Sequence, residues 1–556
     1  GIWTGSNAVV IAPERSASGA VLFENDTHIG FQQPSVWYEA HISCKDFETY
    51  GNFLAGIPFP LTGHNRSMTW GLTMFENDDL NFYKEMSDGE DHYLYKGQRK
   101  KYKLSEHIIK VRGLADTVVT VRSTVHGPVV NNILANWNGS DSSAISLWWV
   151  YTDTIGDPLR VPYLLTNSQN IDDARMAASQ LISPGLNIVY GDTAGNIACW
   201  ASGLVPKFRE GMDSRFILNG HTGADDNHGY HSFEENPRTE NPETGYIVSA
   251  NQDPHSDSIA ILGYFAPDDR HVRLNSLIQN RYDITPGDLR AISLDNISDR
   301  QKLISDTLSS IIKRSTVTGE LDDKQIRALT LLSNWDGSHD KDDIAPVIYY
   351  RLLAEILRKC MSDELGMESF NILVNTHYFK NTSLEFICHT NNPWWDDVNT
   401  ENTESRDSTV VNSFKDVITS LGSQFGSNMN NWTWGGLHIL EHEHPIGTMK
   451  PFNVLFNVGP YAAPGGIETV NNASFELNSD GRLKVKYGPA MRNILDMKDP
   501  SLGWTINPTG QSGHFLSKHY NDQSKMFVEG RFRYMKMDPE SSLENNHSSL
   551  TFYPQR

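Results

Sequence analysis

The first residue that could do chemistry is Ser6. It stands in GSNAVVIA (5–12), directly after a glycine and directly before a strand-like run. A serine before a strand is ordinarily a turn residue, so Gly5-Ser6 gains meaning only from what surrounds it. The chain has no GxSxG, so a conventional serine triad has no local signature. The 4 cysteines, Cys44, Cys199, Cys360 and Cys388, form no CxxC pair, which argues against a zinc cluster. Cys360 and Cys388 could bridge a short loop in an oxidising compartment. Cys44 and Cys199 sit in apolar runs and read as buried thiols.

Composition narrows the class. The 556 residues are 38% hydrophobic and 21% charged, which suits one large layered domain and argues against disorder. With 47 basic and 68 acidic residues, the net charge is −21. Such a surface disfavours nucleic acid and anionic membranes as partners and suits hard cations. No run of about 18 apolar residues occurs, so no membrane span is expected. The text opens at Gly1 without a Met and without a signal peptide, and reaches a strand pattern at once. That reads as a processed or cut chain.

The elements that must position Ser6 follow from periodicity. Short alternating or apolar runs predict strands at 6–12, 21–25, 37–42 and 68–75. TVVTVRSTVHGPVV (117–130) predicts two paired strands, and AISLWWVYT (144–152) a strand covered on both faces. IDDARMAASQL (171–181) has early aspartates and helical spacing. NIVYGDTAGNIACWA (187–201) predicts a hairpin turning at DTAGN. Helical patterns dominate a block at about 286–445. Strands return at 450–459 and 473–478. Strands, helices, then strands without an internal boundary predict a single α+β layered domain over 6–556.

Read together, several segments resemble one family. SNAVVIAPERSASGAVLFENDTHIGFQQPSVWYEAHI (6–42) is similar to the start of the β-chain of penicillin G acylase and its relatives, the acyl-homoserine-lactone and cephalosporin acylases. The resemblance continues through PFPLTGHNRSMTWGLTMFENDDLNFY (58–83), TVHGPVV (124–130), GDTAGNIACWASGLVP (191–206), GYIVSANQDPH (245–255) and APDDRHVRL (266–274). It recurs at NWTWGGLHILEHEHPIG (431–447), GPAMRNILDM (488–497) and GQSGHFLSKHYNDQSKMF (510–527), in order, over essentially the whole chain.

This resemblance implies an N-terminal nucleophile hydrolase with a four-layer αββα sandwich. Ser6 would become the first residue of a β-chain when the precursor cuts itself between Gly5 and Ser6, so residues 1–5 read as the end of a linker. Its hydroxyl would attack a small N-acyl substrate, a penicillin-type β-lactam or an N-acyl-homoserine lactone. Its own α-amine, with an ordinary pKa near ~8, would serve as base. Asn251 and the backbone N–H of Met74 would hold the oxyanion. His28 would orient the amine and bind the substrate amide, and Arg270 would help to place the amine. Ile29, Thr62, Leu72 and Met74 would line the acyl pocket. Asp78, the carbonyls of Leu80 and Pro206, Asn81 and Asp257 match ligand positions for a Ca2+ ion. The partners implied are an α-chain from the same precursor and the small-molecule substrate, in a bacterial periplasmic or secreted setting. A non-catalytic or unprocessed acylase-like binding protein is the alternative reading.

Overall fold

The computed structural model describes residues 5–45, 47–134, 143–254, 256, 258–317, 319–477, 483–538, 550, 551 and 553. The strands that matter for the site are β1 (Gly5–Ile11), β2 (Leu22–Gly30), β3 (Met68–Met74), β4 (Leu186–Asp192), β5 (Tyr246–Ser249) and β6 (Leu483–Asp496). The helices that cover them are α1 (Arg160–Asn167), α2 (Ile171–Ala178), α3 (Asp269–Ile278) and α4 (Pro286–Ser293).

One sheet has β5, β1, β2 and β6 side by side in antiparallel order. A second sheet centres on β3 and β4, also antiparallel. The alternation along β1 shows why they stack. Ala8, Val10 and Ala12 turn one way and pack with Phe23, Val189 and Ile197 between the sheets. Val9 and Ile11 turn the other way, against Leu274 and Ile278 of α3 and Leu289 and Ile292 of α4. A period of two splits one strand between two cores. On the far face of the second sheet, Trp70, Ile188 and Trp200 pack against Val161 and Leu165 of α1 and Ala174, Ala177 and Ala178 of α2. Two helices, two sheets and two helices make the four-layer αββα order.

Local chemistry starts the helices where the sequence expects. Asn170 caps α2 by accepting from the N–H groups of Asp172 and Asp173. Thr285 and Asp288 form a capping box at α4, with Pro286 at its first position. The expected hairpin forms, with Gly191 opposite Ile197 across the DTAGN turn.

Four expectations are corrected. Thr117–Ser123 makes its main ladder with Lys103–Ile109, across the turn at Gly113, and the residues after it return only through a short antiparallel bridge between Ser123 and Pro128. The apolar stretch 450–459 supplies a short helix, Asn453–Phe456, before the strand Val458–Ala462. The helical block expected to reach about 445 ends at Leu437, since His438–His442 is a strand. All four cysteines are free thiols: Cys360 is buried while Cys388 is exposed, and Cys44 is exposed rather than buried. Among the described residues no helix is long and apolar enough to cross a membrane.

Candidate active site

Strand alternation sends Ser6 toward the second sheet and Asn7 toward the helices. Ser6 is 4% exposed, and its hydroxyl donates to the carbonyl oxygen of Gly5 in a short contact. Its N–H donates to Asn251 Oδ1 at 2.6 Å. Gly5 lies inside β1 and pairs with His28 across the ladder. A Cβ at Gly5 would sit 3.4 Å from Asn251 Oδ1, 3.6 Å from Arg270 Nη2 and 3.6 Å from His28 Nδ1. These are ordinary contact distances, so the three polar side chains close directly around Gly5.

Asn251 follows β5 and has φ of 68°. Its Oδ1 also accepts from Arg270 Nη2 at 3.1 Å, and its Nδ2 donates to the Met74 carbonyl at 2.9 Å. That bond uses one of the two Nδ2 hydrogens.

Arg270 is placed by helical spacing. Arg270, Leu274 and Ile278 are the buried residues of α3, four apart on one face. Nη1 donates to the Ser6 carbonyl and to Asn7 Oδ1, both at 2.7 Å. Nε donates to Glu468 Oε2 at 3.1 Å.

His28 is fully buried, with Nε2 3.1 Å from Asp26 Oδ1. Burial lowers its pKa, although Asp26 pulls the other way, so the ring is neutral. The carboxylate selects the Nε2–H tautomer. Nδ1, which has no hydrogen-bond partner, is then an open acceptor on the Gly5 side.

Ser6 opens onto a cavity of about 320 Å³. Its lining includes Ile29, Leu72 and Met74 as expected, with Trp37, Leu54, Leu61, Val161, Leu165, Leu181 and Ile188. Thr62 is buried next to Leu61, on the strand Thr62–His64, and does not line the cavity. In β-structure adjacent residues face opposite ways, which puts Leu61 where Thr62 was expected.

The expected metal ligands are spread over three segments. Asp78 Oδ2 is buried without a hydrogen-bond partner, and burial raises the pKa of both Asp78 and Asp79. Asn81 is buried in the strand Leu80–Ser87. Pro206 bridges to Tyr230. Asp257 lies outside the described residues. An orphaned buried carboxylate oxygen fits a hard cation.

The sequence matches the penicillin amidase family over residues 2–543. The chain belongs to the penicillin amidase family. As a penicillin amidase family member it is 27% identical over 561 residues to the acyl-homoserine lactone acylase QuiP of Pseudomonas fluorescens (strain Pf0-1), a match covering 96% of this chain and 66% of the relative. Against penicillin G acylase of Escherichia coli it is 23% identical over 571 residues, covering 94% and 63%. Thermostable penicillin G acylase from Alcaligenes faecalis superposes with a TM-score of 0.77 at 20% identity, covering 99% of this chain and 100% of that one, so the fold is shared. The chain spans about two-thirds of the length of the curated relatives it matches.

Sequence reasoning missed Asn7, Asp26, Glu468 and Lys380. Asn7 and Asp26 had a signal, since each flanks a named residue by one or two positions on a strand. Glu468 and Lys380 had none, because only the folded chain brings them to Arg270.

Proposed function

We propose that this chain is the catalytic part of an N-acyl amide hydrolase whose nucleophile is Ser6, freed by cleavage of the Gly5–Ser6 bond. The observation that carries the reading is the Ser6 hydroxyl resting on the Gly5 carbonyl at the mouth of an apolar cavity. Attack by Oγ on that carbonyl carbon forms an ester and breaks the amide, which leaves the Ser6 nitrogen as an amine. Water then removes the ester. In the mature chain the amine takes the proton of Oγ as it attacks the substrate carbonyl, and gives it to the leaving amine.

Asn251 Nδ2 and the Met74 N–H bind the developing oxyanion, a contribution of about 100- to 1000-fold per donor. His28 Nδ1 accepts from the freed amine, and Arg270 fixes the Ser6 carbonyl. The cavity has one aromatic wall residue, Trp37, among aliphatic ones, which favours a straight aliphatic acyl group over an aromatic one. The relatives are named an acyl-homoserine lactone acylase and a penicillin G acylase, which supports an N-acyl-homoserine lactone or a penicillin as the substrate. The partner is an α-chain supplied by the rest of the precursor. The penicillin acylase 2 of Pseudomonas sp. (strain SE83), 26% identical over 533 residues, is named a proenzyme, which supports processing. Asp78, Asn81 and the carbonyls of Leu80 and Pro206, with Asp257, hold a structural Ca2+ ion, in a periplasmic or secreted setting.

The test is the intact mass of the mature chain, with hydrolysis measured on a panel of acyl lengths and a phenylacetyl amide. A chain starting at Ser6, inactive and uncut as Ser6→Ala, is expected. Full activity from a chain that keeps residues 1–5, or from Ser6→Ala, would overturn it.

A further inference from the structure

Behind Arg270 lies a buried set of charges that the hydrolytic scheme does not use. Glu468 is 5% exposed and sits in the left-handed region with φ of 55°. One carboxylate oxygen accepts from Arg270 Nε at 3.1 Å, and the other accepts from Lys380 Nζ at 3.2 Å. Lys380 lies on the helix His377–Cys388 and also faces the Tyr487 ring, with Nζ 6.0 Å from its centre. Arg270 is thus held from two sides. Its Nε is fixed by Glu468, and its two terminal nitrogens are fixed by Ser6, Asn7 and Asn251.

We propose that Glu468 and Lys380 are positioning residues that lock Arg270 onto Ser6 and set the proton affinity of the freed Ser6 amine. This rests on the reading of Ser6 as an N-terminal nucleophile. The amine would sit beside the Arg270 guanidinium, which disfavours its protonated form. Glu468 offsets that positive charge, and Lys380 offsets Glu468. The pair therefore trims the field at the amine to a value between those of a bare guanidinium and of a neutralised one.

The other groups facing this cluster carry little charge or are already paired. Glu76 Oε2 lies 3.8 Å from His377 Nδ1. Burial lowers His377 to about 4, so its ring is neutral. Asp269 is buried but ion-paired with Arg300 at 2.8 Å. On the other side, His28 is neutral and Asp26 faces Arg492 at 3.6 Å. Glu468 remains charged: burial alone would raise its pKa, but Lys380 and Arg270 hold it down to about 2. Near neutral pH the cluster is Arg270⁺, Glu468⁻ and Lys380⁺.

The sign of the effect separates this role from packing. Glu468→Gln keeps the shape but removes the negative charge, which makes the amine easier to deprotonate. The acid limb of kcat/KM then moves to lower pH. Lys380→Met removes a positive charge and moves the limb to higher pH. Each shift is expected to be about half a pH unit or more, since the charges act through a poorly screened interior. In Glu468→Gln kcat should also fall about tenfold, with KM nearly unchanged, as Arg270 loses its hold.

The experiment uses the mature enzyme with its full complement of chains, each variant checked by intact mass for a start at Ser6. It reads kcat/KM against pH on one N-acyl amide that the wild type hydrolyses. Limbs that move in opposite directions support the proposal. Limbs that stay put, or move together, overturn it. If Glu468→Gln fails to mature, Lys380→Met decides alone, because it leaves the Arg270–Glu468 bond in place; an unmoved limb there is fatal. A wild type with no hydrolysis, or an active Ser6→Ala, would instead sink the reading of Ser6.

Discussion

Asn25 on β2 makes both hydrogen bonds of a backbone pairing with Leu72 on β3: its amide donates to the Leu72 carbonyl at 3.1 Å, and its Oδ1 accepts the Leu72 N–H at 3.2 Å. The same amide donates to the Asn7 carbonyl at 2.8 Å. One side chain thus stitches the two sheets together at the level of Ser6. Gly71 makes room for it, since a Cβ there would come within 2.6 Å of Asn25 Oδ1.

Asn25→Ala should therefore cost about 2–4 kcal/mol, because it strands buried backbone groups without partners. Denaturant unfolding measures this directly. A midpoint equal to that of the wild type would show that the stitch carries no weight.

The acyl cavity predicts a length cutoff. Val161 and Leu181 both line it. Val161→Phe should shorten it and depress kcat/KM for the longest straight acyl chains by about 10-fold or more, while the shortest chains change little. Uniform loss across the acyl panel would place the acyl group elsewhere.

Acid should destabilise the fold through buried histidines. Burial lowers His64 to about 3, His339 to about 3, His438 to about 4 and His442 to about 3. Unfolded histidine titrates near ~6.5, so the unfolded chain takes up protons that the folded chain refuses. Their stabilising effect is full above about pH 6.5 and is lost as pH falls toward the folded values. The loss is on the order of 1 kcal/mol per histidine by about pH 5.5. His442 has no hydrogen bond on either ring nitrogen and packs edge-on to Phe31 at 5.2 Å. His442→Leu should flatten the fall in Tm between neutral and mildly acid buffers. An equally steep fall would assign the acid sensitivity to other groups.

The orphaned Asp78 oxygen predicts sensitivity to chelators. Chelation should lower the Tm of the wild type, and added Ca2+ should restore it. Asp78→Asn should start lower and respond to neither. A wild type that melts identically with and without chelator would remove the metal assignment.

Much of this architecture was legible in the residues. The short apolar run at 6–12 announces β1, and the early aspartates and helical spacing of 171–181 announce α2. The pairing of Thr117–Ser123 was not legible, because register depends on where the turn falls and not on the pattern of either strand. At the site, hydrogen bonds join Ser6, Asn251 and Arg270, and His28 stands opposite Gly5 in the strand ladder. Thr62 was misjudged by one position, which in a strand is a change of face. Glu468 is separated from Arg270 by 198 positions, and no local pattern can encode such a meeting.

Three residues around Arg270 share an unusual backbone: Glu76, Asn251 and Glu468, with φ of 59°, 68° and 55°. Side chains disfavour that region, at a cost of about 1 kcal/mol or more each. Glycine would relieve each strain but would also remove the carboxylate or amide that stands around Arg270 and Ser6. Selection for heat resistance and selection for turnover would therefore pull these positions in opposite directions. In a laboratory evolution campaign scored on melting alone, glycine at these sites would mark lineages that gain robustness by dismantling the active centre.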